Sequence, residues 1–502
     1  MEQNAKRDAD ADKGGRNRPL AVRGSPVGEG RKSAHMSRGP SARARRPRHS
    51  AEGWSRREFI NAAVAAAAGL VAHGLATAEE KKDQDLEIAF IGVGSQGRNL
   101  LVNCLKIPGI RIRAICDIWP YHQKYAAGIL KAYNQQAGIY DDYRELLAKE
   151  KNLAAAIIAT PDWVHAEQTN EALRAGLHVY CEKEMSHTLE GASGMVATAR
   201  KTGKLLQIGH QRRSSPRYWL GLKLIEKERL VGRITHAYGQ WNRRQGLDLG
   251  WAKGVEMDEA TLRRYGYEDM DQFRNWRWFR KFSGGPLADL GSHQIDVFSW
   301  FLKADPVSVQ ASGGIDYYRG KGRDWYDNMM AIYEYDTTQV SSAGEQTPQR
   351  VRAFYQVLNS TSHGGYYEAF MGDEGSIVIS EDINKGFFFR EPTSTARRQW
   401  EDEAKKVSAM DREAIQIKVG ETLTAQGTKD PKAEKLLADV QKPVHQLHLE
   451  NFFAAVRANK KELLSCPAET AYRTAVAVLM ANDAVAQKRQ IEFRPGQFSV
   501  GL

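Results

Sequence analysis

Short apolar runs alternate with amphipathic stretches between residues 86 and 209. The apolar runs are suited to buried strands, and they lie at 86–91, 110–116, 154–159, 178–181 and 205–208. Between them, apolar residues recur at helical spacing, as at 99–106, 165–175 and 189–202. Strands that alternate with helices in this way are typical of an open, doubly wound parallel sheet. We therefore predict a Rossmann-type α/β domain over 86–209.

The pattern changes beyond Gly209. Alternating runs there predict a mostly antiparallel sheet with one exposed face, built from 234–241, 306–317, 328–335, 351–359, 366–371 and 376–380. Amphipathic stretches within 444–487 predict helices that pack back on the molecule, and a terminal strand follows at 491–493. Residues 390–442 are charged and poorly periodic, so we interpret them as a surface insertion with some helix. The fold class is thus α/β, with a second α/β domain over 210–495.

A glycine-rich turn follows the first predicted strand, with the sequence Gly92-Val93-Gly94-Ser95-Gln96-Gly97. Gly92 permits a tight turn, Gly94 lets backbone N–H groups approach a pyrophosphate, and Gly97 permits close packing of the next helix. The phosphates would lie on the N-terminus of that helix, beside Ser95 and Gln96. The strand before the turn and the helix after it favour a dinucleotide site over a glycine-rich surface turn.

Asp117 ends the second predicted strand and sets the choice of dinucleotide. Its carboxylate would accept hydrogen bonds from both ribose hydroxyls of the adenosine, and its charge would repel a 2′-phosphate. The sequence therefore predicts NAD as the cofactor rather than NADP.

The net charge of +11 is concentrated in the first part of the chain. Residues 1–78 contain 15 Lys and Arg against 7 Asp and Glu, and the rest contains 57 against 54. A nucleic-acid partner would need a basic face on the folded part, so we predict none. Residues 1–54 are too poor in apolar residues to fold, which predicts a disordered basic extension, and Met36 is an alternative start.

An uncharged, Ala-rich stretch, 61–78, follows the adjacent pair Arg56-Arg57. Residues 55–78 resemble a twin-arginine export signal, with a cleavage site after Ala78. The alternative is a membrane anchor, but the stretch is shorter and less apolar than the roughly 20 residues that a span needs. We expect export through the twin-arginine machinery to the periplasm or another extracytoplasmic space. Because that machinery carries folded proteins, we also expect NAD to be tightly bound before export.

The four cysteines, Cys104, Cys116, Cys181 and Cys466, form no CxxC pair, and three lie in predicted core elements. We therefore predict four buried free thiols. The histidines are dispersed and lack the HExxH pattern of zinc enzymes, so we predict no metal.

Two segments carry candidate catalytic groups. Asp289 and His293 lie four residues apart in a predicted helix, so a carboxylate would orient an imidazole as a general base. The alternative is a structural Asp–His pair. Lys183 ends a predicted parallel strand, where its ammonium would polarise a substrate oxygen, and Glu182 would hold it in place.

Aromatic residues are concentrated between 238 and 282, where they make up ten of 45 residues against 9% overall. Such a concentration indicates a core patch for most of them or a ligand-facing surface. Trp276 is the candidate there for a substrate contact.

Taken together, the glycine turn, Ala159-Thr160-Pro161, Glu182-Lys183 and the block 284–293 resemble the Gfo/Idh/MocA oxidoreductases over about residues 86–495. The resemblance implies hydride transfer between NAD(P) and a sugar, inositol or related polyol, and a homo-oligomer formed through the C-terminal sheet. It places Thr160, Pro161 and His165 at the nicotinamide end, and His210, Gln211 and Arg212 between cofactor and substrate. His165 would otherwise make a structural hydrogen bond, and Arg212 would anchor an acidic sugar or be solvated. Glu184 stands where the family has a proline.

Three functions remain open at this point. The first is an exported NAD-dependent sugar or polyol dehydrogenase. The second, from relatives that oxidise a substrate transiently, is a glycosidase or lyase with no net redox change. The third is a non-catalytic sugar-binding protein, against which the set Lys183, Asp289 and His293 argues.

Overall fold

The structure is a computed structural model that describes residues 85–244, 249–320, 322–340, 344–394, 401, 404–417 and 438–501. The predicted basic extension (1–54) and export signal (55–78) lie outside the described residues. Among the helices within these ranges, none is long and apolar enough to cross a membrane.

Six parallel strands form the first sheet, in the order β3-β2-β1-β4-β5-β6. They are β1 (Leu86–Ile91), β2 (Ile110–Cys116), β3 (Gly138–Tyr140), β4 (Ala155–Ile158), β5 (His178–Cys181) and β6 (Leu206–Ile208). The helices that alternate with them are α1 (Ser95–Cys104), α2 (Pro120–Ala132), α3 (Tyr143–Lys149), α4 (Asp162–Arg174) and α5 (Leu189–Thr202). This is the strand order of a dinucleotide-binding Rossmann domain. It places a crevice at the carboxyl ends of the neighbouring strands β1 and β4, where the chain leaves the sheet in opposite directions.

The apolar runs became strands because helices cover both faces of the sheet. All four residues of β4 are buried, and so are the last four of β1. Parallel sheets covered on both faces read as continuous apolar runs, which is the pattern that predicted them. The three-residue strand β3 was not predicted, because so short a run carries no periodic signal.

Ten strands form the second sheet, in the order β14-β15-β13-β12-β11-β7-β10-β9-β8-β16. Its long strands are β7 (Ile234–Asn242), β8 (Pro306–Gly314), β9 (Asn328–Val340), β10 (Gln346–Leu358), β11 (Tyr366–Gly372) and β12 (Gly375–Ile379). The shorter ones are β13 (Phe387–Arg390), β14 (Lys406–Ala409), β15 (Arg412–Gln416) and β16 (Ile491–Glu492). Only β7 and β10 pair in parallel among the described strands of this sheet, so the predicted fold class is confirmed.

The helices of the second half complete the fold. They are α6 (Pro216–Glu226), α7 (Glu259–Arg264), α8 (Met270–Arg274), α9 (Ser292–Leu302), α10 (Val444–Ala458) and α11 (Ala468–Gln487). The last two pack back as predicted. The side chain of Gln207 in β6 donates to the carbonyl of His448 in α10 (2.9 Å), and Ile208 N donates to the carbonyl of Cys466 (3.0 Å).

The prediction of a surface insertion over residues 390–442 is wrong in part. β14 and β15 form a hairpin that extends the second sheet through β13. The expected helix is confirmed at 438–441. The two turn residues of the hairpin, Met410 and Asp411, both have positive φ (49° and 59°), as a tight two-residue hairpin turn requires. Methionine is unusual in such a turn, so the local sequence did not indicate a hairpin here.

The aromatic-rich segment is mainly a core patch, as expected. Tyr267, Phe273 and Phe282 are buried together with Trp119, which comes from the end of β2. All four cysteines are buried and free, which confirms that prediction.

Candidate active site

A cavity of about 1070 Å³ runs from the glycine turn along the carboxyl edge of the first sheet to the second domain. Most of the predicted site residues line it: Gly92, Gly94, Ser95, Gln96, Asp117, Thr160, Pro161, His165, Glu182, Lys183, Gln211, Trp276, Asp289 and His293. The tertiary structure thus collects residues that lie nearly 200 positions apart in the sequence.

The three glycines of the turn are required for different reasons. Gly92 has φ +89°, and a Cβ there would lie 2.7 Å from the backbone of Ala159. A Cβ on Gly97 would lie 2.1 Å from the carbonyl oxygen of Gly92, so only glycine lets α1 pack this closely. A Cβ on Gly94 would have a His122 ring carbon as its nearest neighbour, at 3.4 Å, and Gly94 lines the cavity. Two glycines therefore serve packing, while Gly94 keeps space open for a ligand.

The N-terminus of α1 fits the pyrophosphate of a dinucleotide. The helix begins at Ser95, its N-cap is Gly94, and its first turn contains no acidic residue. The first N–H groups of a helix lack partners within it, and the helix dipole favours an anion there. In this chain, Gly94, Ser95 and Gln96 would hold the phosphates.

Asp117 lies at the predicted ribose position, directly after β2. Its carboxylate accepts hydrogen bonds from Val93 N and Trp119 N, both at 2.9 Å, and lies 3.2 Å from Nδ1 of His122. These bonds hold an acidic group at the cavity wall in one orientation. Its role in choosing NAD over NADP stays a prediction.

Lys183 follows β5 and points towards Asp289. Its Nζ donates to the backbone carbonyl of Asp289 and lies 3.8 Å from the Asp289 carboxylate. Glu182 accepts instead from the backbone N of Lys183 (3.3 Å) and from the side chain of Gln96 (3.1 Å). Asp289, and not Glu182 as predicted, therefore holds the ammonium group. The Lys183–Glu184 peptide bond is cis.

The predicted pairing of Asp289 with His293 is not formed. Residues 287–291 adopt a π-helical turn before α9, so the wider turn replaces the regular spacing in which positions i and i+4 stack. The carboxylate of Asp289 instead accepts from Arg277 Nε (3.1 Å) and lies 3.9 Å from the Arg243 guanidinium. Although burial opposes the charge, Arg277, Lys183 and Arg243 lower the pKa of Asp289 to about 2.

His293 lies in the cavity wall with only 5% of its surface exposed. Its ring centroid lies 5.4 Å from that of Trp241 and 6.5 Å from that of His210, and its Nδ1 has no hydrogen-bond partner within the described ranges. Burial and the nearby Lys183 and Arg212 cations hold the pKa of His293 well below its usual value. The imidazole is therefore neutral at pH 7 and able to accept a proton.

His165 makes a structural connection at the edge of the cavity. Its two ring nitrogens each lie 2.8 Å from a carbonyl oxygen, one of Thr160 and one of Glu184. The ring thereby joins the loop after β4 to the loop after β5. Of its two predicted roles, the structural hydrogen bond is the one that the geometry shows.

Two predicted substrate contacts do not line the cavity. Arg212 is 1% exposed and pairs with Glu368 and Glu381, so it neither anchors a substrate nor is solvated. His210 is also 1% exposed, and neither of its ring nitrogens has a partner among the described residues. The prediction for Arg212 was wrong because its partners lie more than 150 residues further along the chain. The role of His210 stays a prediction. Gln211, between His210 and Arg212, does line the cavity and donates to Glu381 (3.3 Å).

The sequence did not identify several lining residues. Trp241 and Tyr366 stack with a centroid distance of 4.7 Å, and the Arg277 guanidinium lies 4.3 Å above the ring of Trp276, which was predicted. Trp241 lies in β7 and Arg243 directly follows the end of that strand. Residues two apart in an extended chain share a face, and this spacing could have identified them.

Two buried carboxyl groups beside Lys183 were also missed. Asp162 accepts from Gly284 N (3.3 Å), and Glu184 accepts from Met185 N (2.9 Å) while its other oxygen has no partner among the described residues. Burial raises the pKa of Asp162 to about 7, helped by the Asp289 charge, and raises that of Glu184 to about 8.

Comparisons with known proteins identify the family of both domains. Residues 86–210 match the Gfo/Idh/MocA family model described as an oxidoreductase family, NAD-binding Rossmann fold. Residues 257–493 match the model of the same family's C-terminal alpha/beta domain.

Individual relatives point the same way. The uncharacterized oxidoreductase YrbE of Bacillus subtilis is 37% identical over 45% of this chain and 56% of its own length. An inositol 2-dehydrogenase/D-chiro-inositol 3-dehydrogenase of Shouchella clausii is 31% identical over 29% of this chain and 42% of its own. The chain thus spans about half the length of these curated relatives.

A solved structure of levoglucosan dehydrogenase in complex with NADH shares the fold. It has a TM-score of 0.57 and 18% identity, covering 82% of this chain and all of the other. With the two domain models matched in order over most of the described chain, the protein belongs to the Gfo/Idh/MocA family of oxidoreductases, and its first domain is the NAD-binding Rossmann domain of that family.

Proposed function

We propose that the protein is an exported NAD-dependent oxidoreductase that transfers hydride between NAD and a CH–OH group of a sugar or polyol. The observation that carries this proposal is the convergence of His293 and Lys183 on the cavity that begins at the glycine turn. A proton acceptor and a fixed cation at one end of a dinucleotide crevice are what alcohol oxidation needs.

His293 accepts the hydroxyl proton in this proposal. Its imidazole is neutral at pH 7, since burial and neighbouring cations depress its pKa. Lys183, fixed by the carbonyl and carboxylate of Asp289, stabilises the negative charge that develops on the substrate oxygen. Bound NAD supplies the hydride acceptor. Asp289 is thus a positioning residue for Lys183 rather than for the imidazole.

The aromatic wall supports a carbohydrate substrate. Trp241, Tyr366 and Trp276 line the same cavity as His293 and Lys183. Flat aromatic surfaces next to a few polar groups are common in binding sites, where the apolar face packs and the polar groups orient the ligand. The inositol dehydrogenase among the relatives acts on a compound of this kind.

Export and assembly are further parts of the proposal. The sequence at 55–78 supports twin-arginine export, and the expectation of tightly bound NAD depends on it. Homo-oligomerisation through the second sheet is supported by apolar side chains on its outer face, where Met330, Ile332 and Met371 are 37–39% exposed.

The test uses His293→Ala in the full chain, with His363→Ala as the matched control, because His363 is an exposed loop residue that does not line the cavity. A panel of inositols, sugars and glycosides is incubated with each protein, and NADH absorbance and released sugar are recorded in parallel. We expect His293→Ala to slow hydride transfer by roughly 10²–10⁴-fold with NAD still bound, and the control to be unchanged.

Two outcomes would contradict the proposal. Full activity of His293→Ala would remove the imidazole from the reaction. Released sugar without net NADH formation would instead identify a redox-neutral glycosidase or lyase.

A further inference from the structure

Three cations surround one carboxylate at the reaction end of the cavity. Arg277 Nε lies 3.1 Å, Lys183 Nζ 3.8 Å and the Arg243 guanidinium 3.9 Å from carboxylate oxygens of Asp289. One negative charge does not balance three positive ones, so this end of the cavity is locally cationic.

The other nearby carboxyl groups restore the balance only in part. Glu381 is already paired with Arg212. Glu182 accepts from neutral groups, the side chain of Gln96 and a backbone N–H, so it keeps its charge and the three cations face two carboxylates. Asp162 and Glu184 are buried, which raises the pKa of both and weakens their negative charge near neutral pH.

Arg243 has unused hydrogen-bonding capacity. Its 3.9 Å separation from Asp289 is longer than a hydrogen bond, and its Nε is buried without a partner in the part of the chain that the structure describes. Arg277 uses its Nε for Asp289 and lies over Trp276, with its side chain 42% exposed. Both residues line the cavity with part of the side chain exposed, 38% for Arg243 and 42% for Arg277, so the outer N–H groups of two guanidinium groups face a ligand there.

The spacing of these groups suits a single sugar ring. Trp241 is the last residue but one of β7. Arg243 follows the end of that strand, its N–H donates to the carbonyl of Leu358 (2.9 Å), and its side chain lies on the same face as Trp241. The Arg243 guanidinium carbon lies 5.9 Å from the Trp241 ring centroid, and the His293 ring lies 5.4 Å from it. Arg243 and His293 thus both lie near the Trp241 ring, so one sugar ring beside Trp241 would reach His293 with a hydroxyl and Arg243 with another substituent.

We propose that the substrate is an anionic sugar whose acidic group is bound by Arg243 and Arg277. This inference rests on the proposed function, because it assigns the substrate class of the same cavity. Guanidinium groups bind planar and tetrahedral oxyanions through paired N–H donors. The acidic group is a carboxylate, as in a uronic acid, or a phosphate ester, and the two share this recognition chemistry.

The experiment compares matched sugars on the NAD-loaded full chain. D-glucuronate and D-glucose 6-phosphate are the two anionic probes, and D-glucose is their neutral counterpart. Binding is measured by calorimetry and hydride transfer by NADH absorbance, for the wild-type chain, Arg243→Gln and Arg263→Gln. Arg263 is the control because it lies on the surface of α7, with its side chain 71% exposed.

We expect one anionic probe to bind roughly 10- to 100-fold more tightly than glucose, and Arg243→Gln to remove that preference. In Arg243→Gln, binding of glucose should fall much less than binding of the anion. Arg263→Gln should match the wild-type chain in sugar binding and in NAD content. Preferential binding of D-glucuronate would identify the acidic group as a carboxylate, and preferential binding of D-glucose 6-phosphate would identify it as a phosphate ester. Equal binding of charged and neutral sugars, an equal loss of both in Arg243→Gln, or no binding of either anion would overturn the inference.

The calorimetric readout separates this inference from the proposed function. Arg243-dependent binding of an anion without hydride transfer would sustain the substrate class and refute the dehydrogenase. Oxidation of neutral sugars with no preference for anions would sustain the dehydrogenase and refute the anionic substrate class.

Discussion

Replacement of Arg212 distinguishes a structural cation from a substrate anchor. Its guanidinium pairs with Glu368 and Glu381, and Arg212 and Glu368 have 1% and 0% of their side chains exposed. In Arg212→Met, the Glu368 carboxylate would stay buried opposite Tyr218 without its cation. Breaking a buried ion pair on one side costs about 3–5 kcal/mol of unfolding free energy. We expect a loss of that size, with the substrate KM unchanged per folded molecule.

The loss should depend on pH in a direction that the structure sets. Burial raises the pKa of Glu368 from 4.5 to about 7 even though Arg212 lowers it. Because this pKa is higher in the folded state than in the unfolded state, stability falls as the pH rises from 4.5 towards 7. Without Arg212 the folded pKa rises further, so the deficit of the variant should be small at pH 4.5 and large at pH 8.

Urea unfolding of the wild-type chain, Arg212→Met and Arg212→Met/Glu368→Gln at both pH values measures this effect. The double variant removes the stranded carboxylate, so it should recover much of the lost stability. A variant with unchanged urea midpoints and a strongly raised KM would refute the reasoning and return Arg212 to the substrate.

Three further predictions follow from the cavity wall. Asp117→Ala should weaken NAD binding by about 1.5–3 kcal/mol and relax discrimination against NADP, and an unchanged preference in equilibrium binding would show that Asp117 does not face the ribose. Gly97→Ala should lower the urea midpoint because its Cβ would lie 2.1 Å from a carbonyl oxygen. Gly94→Ala should keep the wild-type midpoint but lose bound NAD. Equal midpoints for the two variants would show that the turn adapts to a side chain at position 97. Glu184→Gln should gain stability relative to the wild-type chain as the pH rises from 4.5 towards 9, since burial raises the pKa of this carboxyl group to about 8. Parallel curves of unfolding free energy against pH for the two chains would contradict that burial.

Local patterns carried the fold class and the cofactor site. The strands and helices of the Rossmann domain follow a simple hydrophobic period. The glycine turn and Asp117 lie within about 30 residues of each other. Helix and strand periodicity and backbone sterics act over such short distances, so they are legible in one sequence. The alternating runs of the second sheet were predicted for the same reason.

The chemistry of the reaction end depended on tertiary structure. The sequence places Asp289 four residues before His293, but the π-helical turn and the cations of Lys183, Arg243 and Arg277 direct its carboxylate elsewhere. Arg212 is neutralised by carboxylates that β11 and the segment after β12 bring to it. Ion pairing and burial depend on which charges the fold brings within a few ångströms of each other, and that distance bears no relation to separation along the chain.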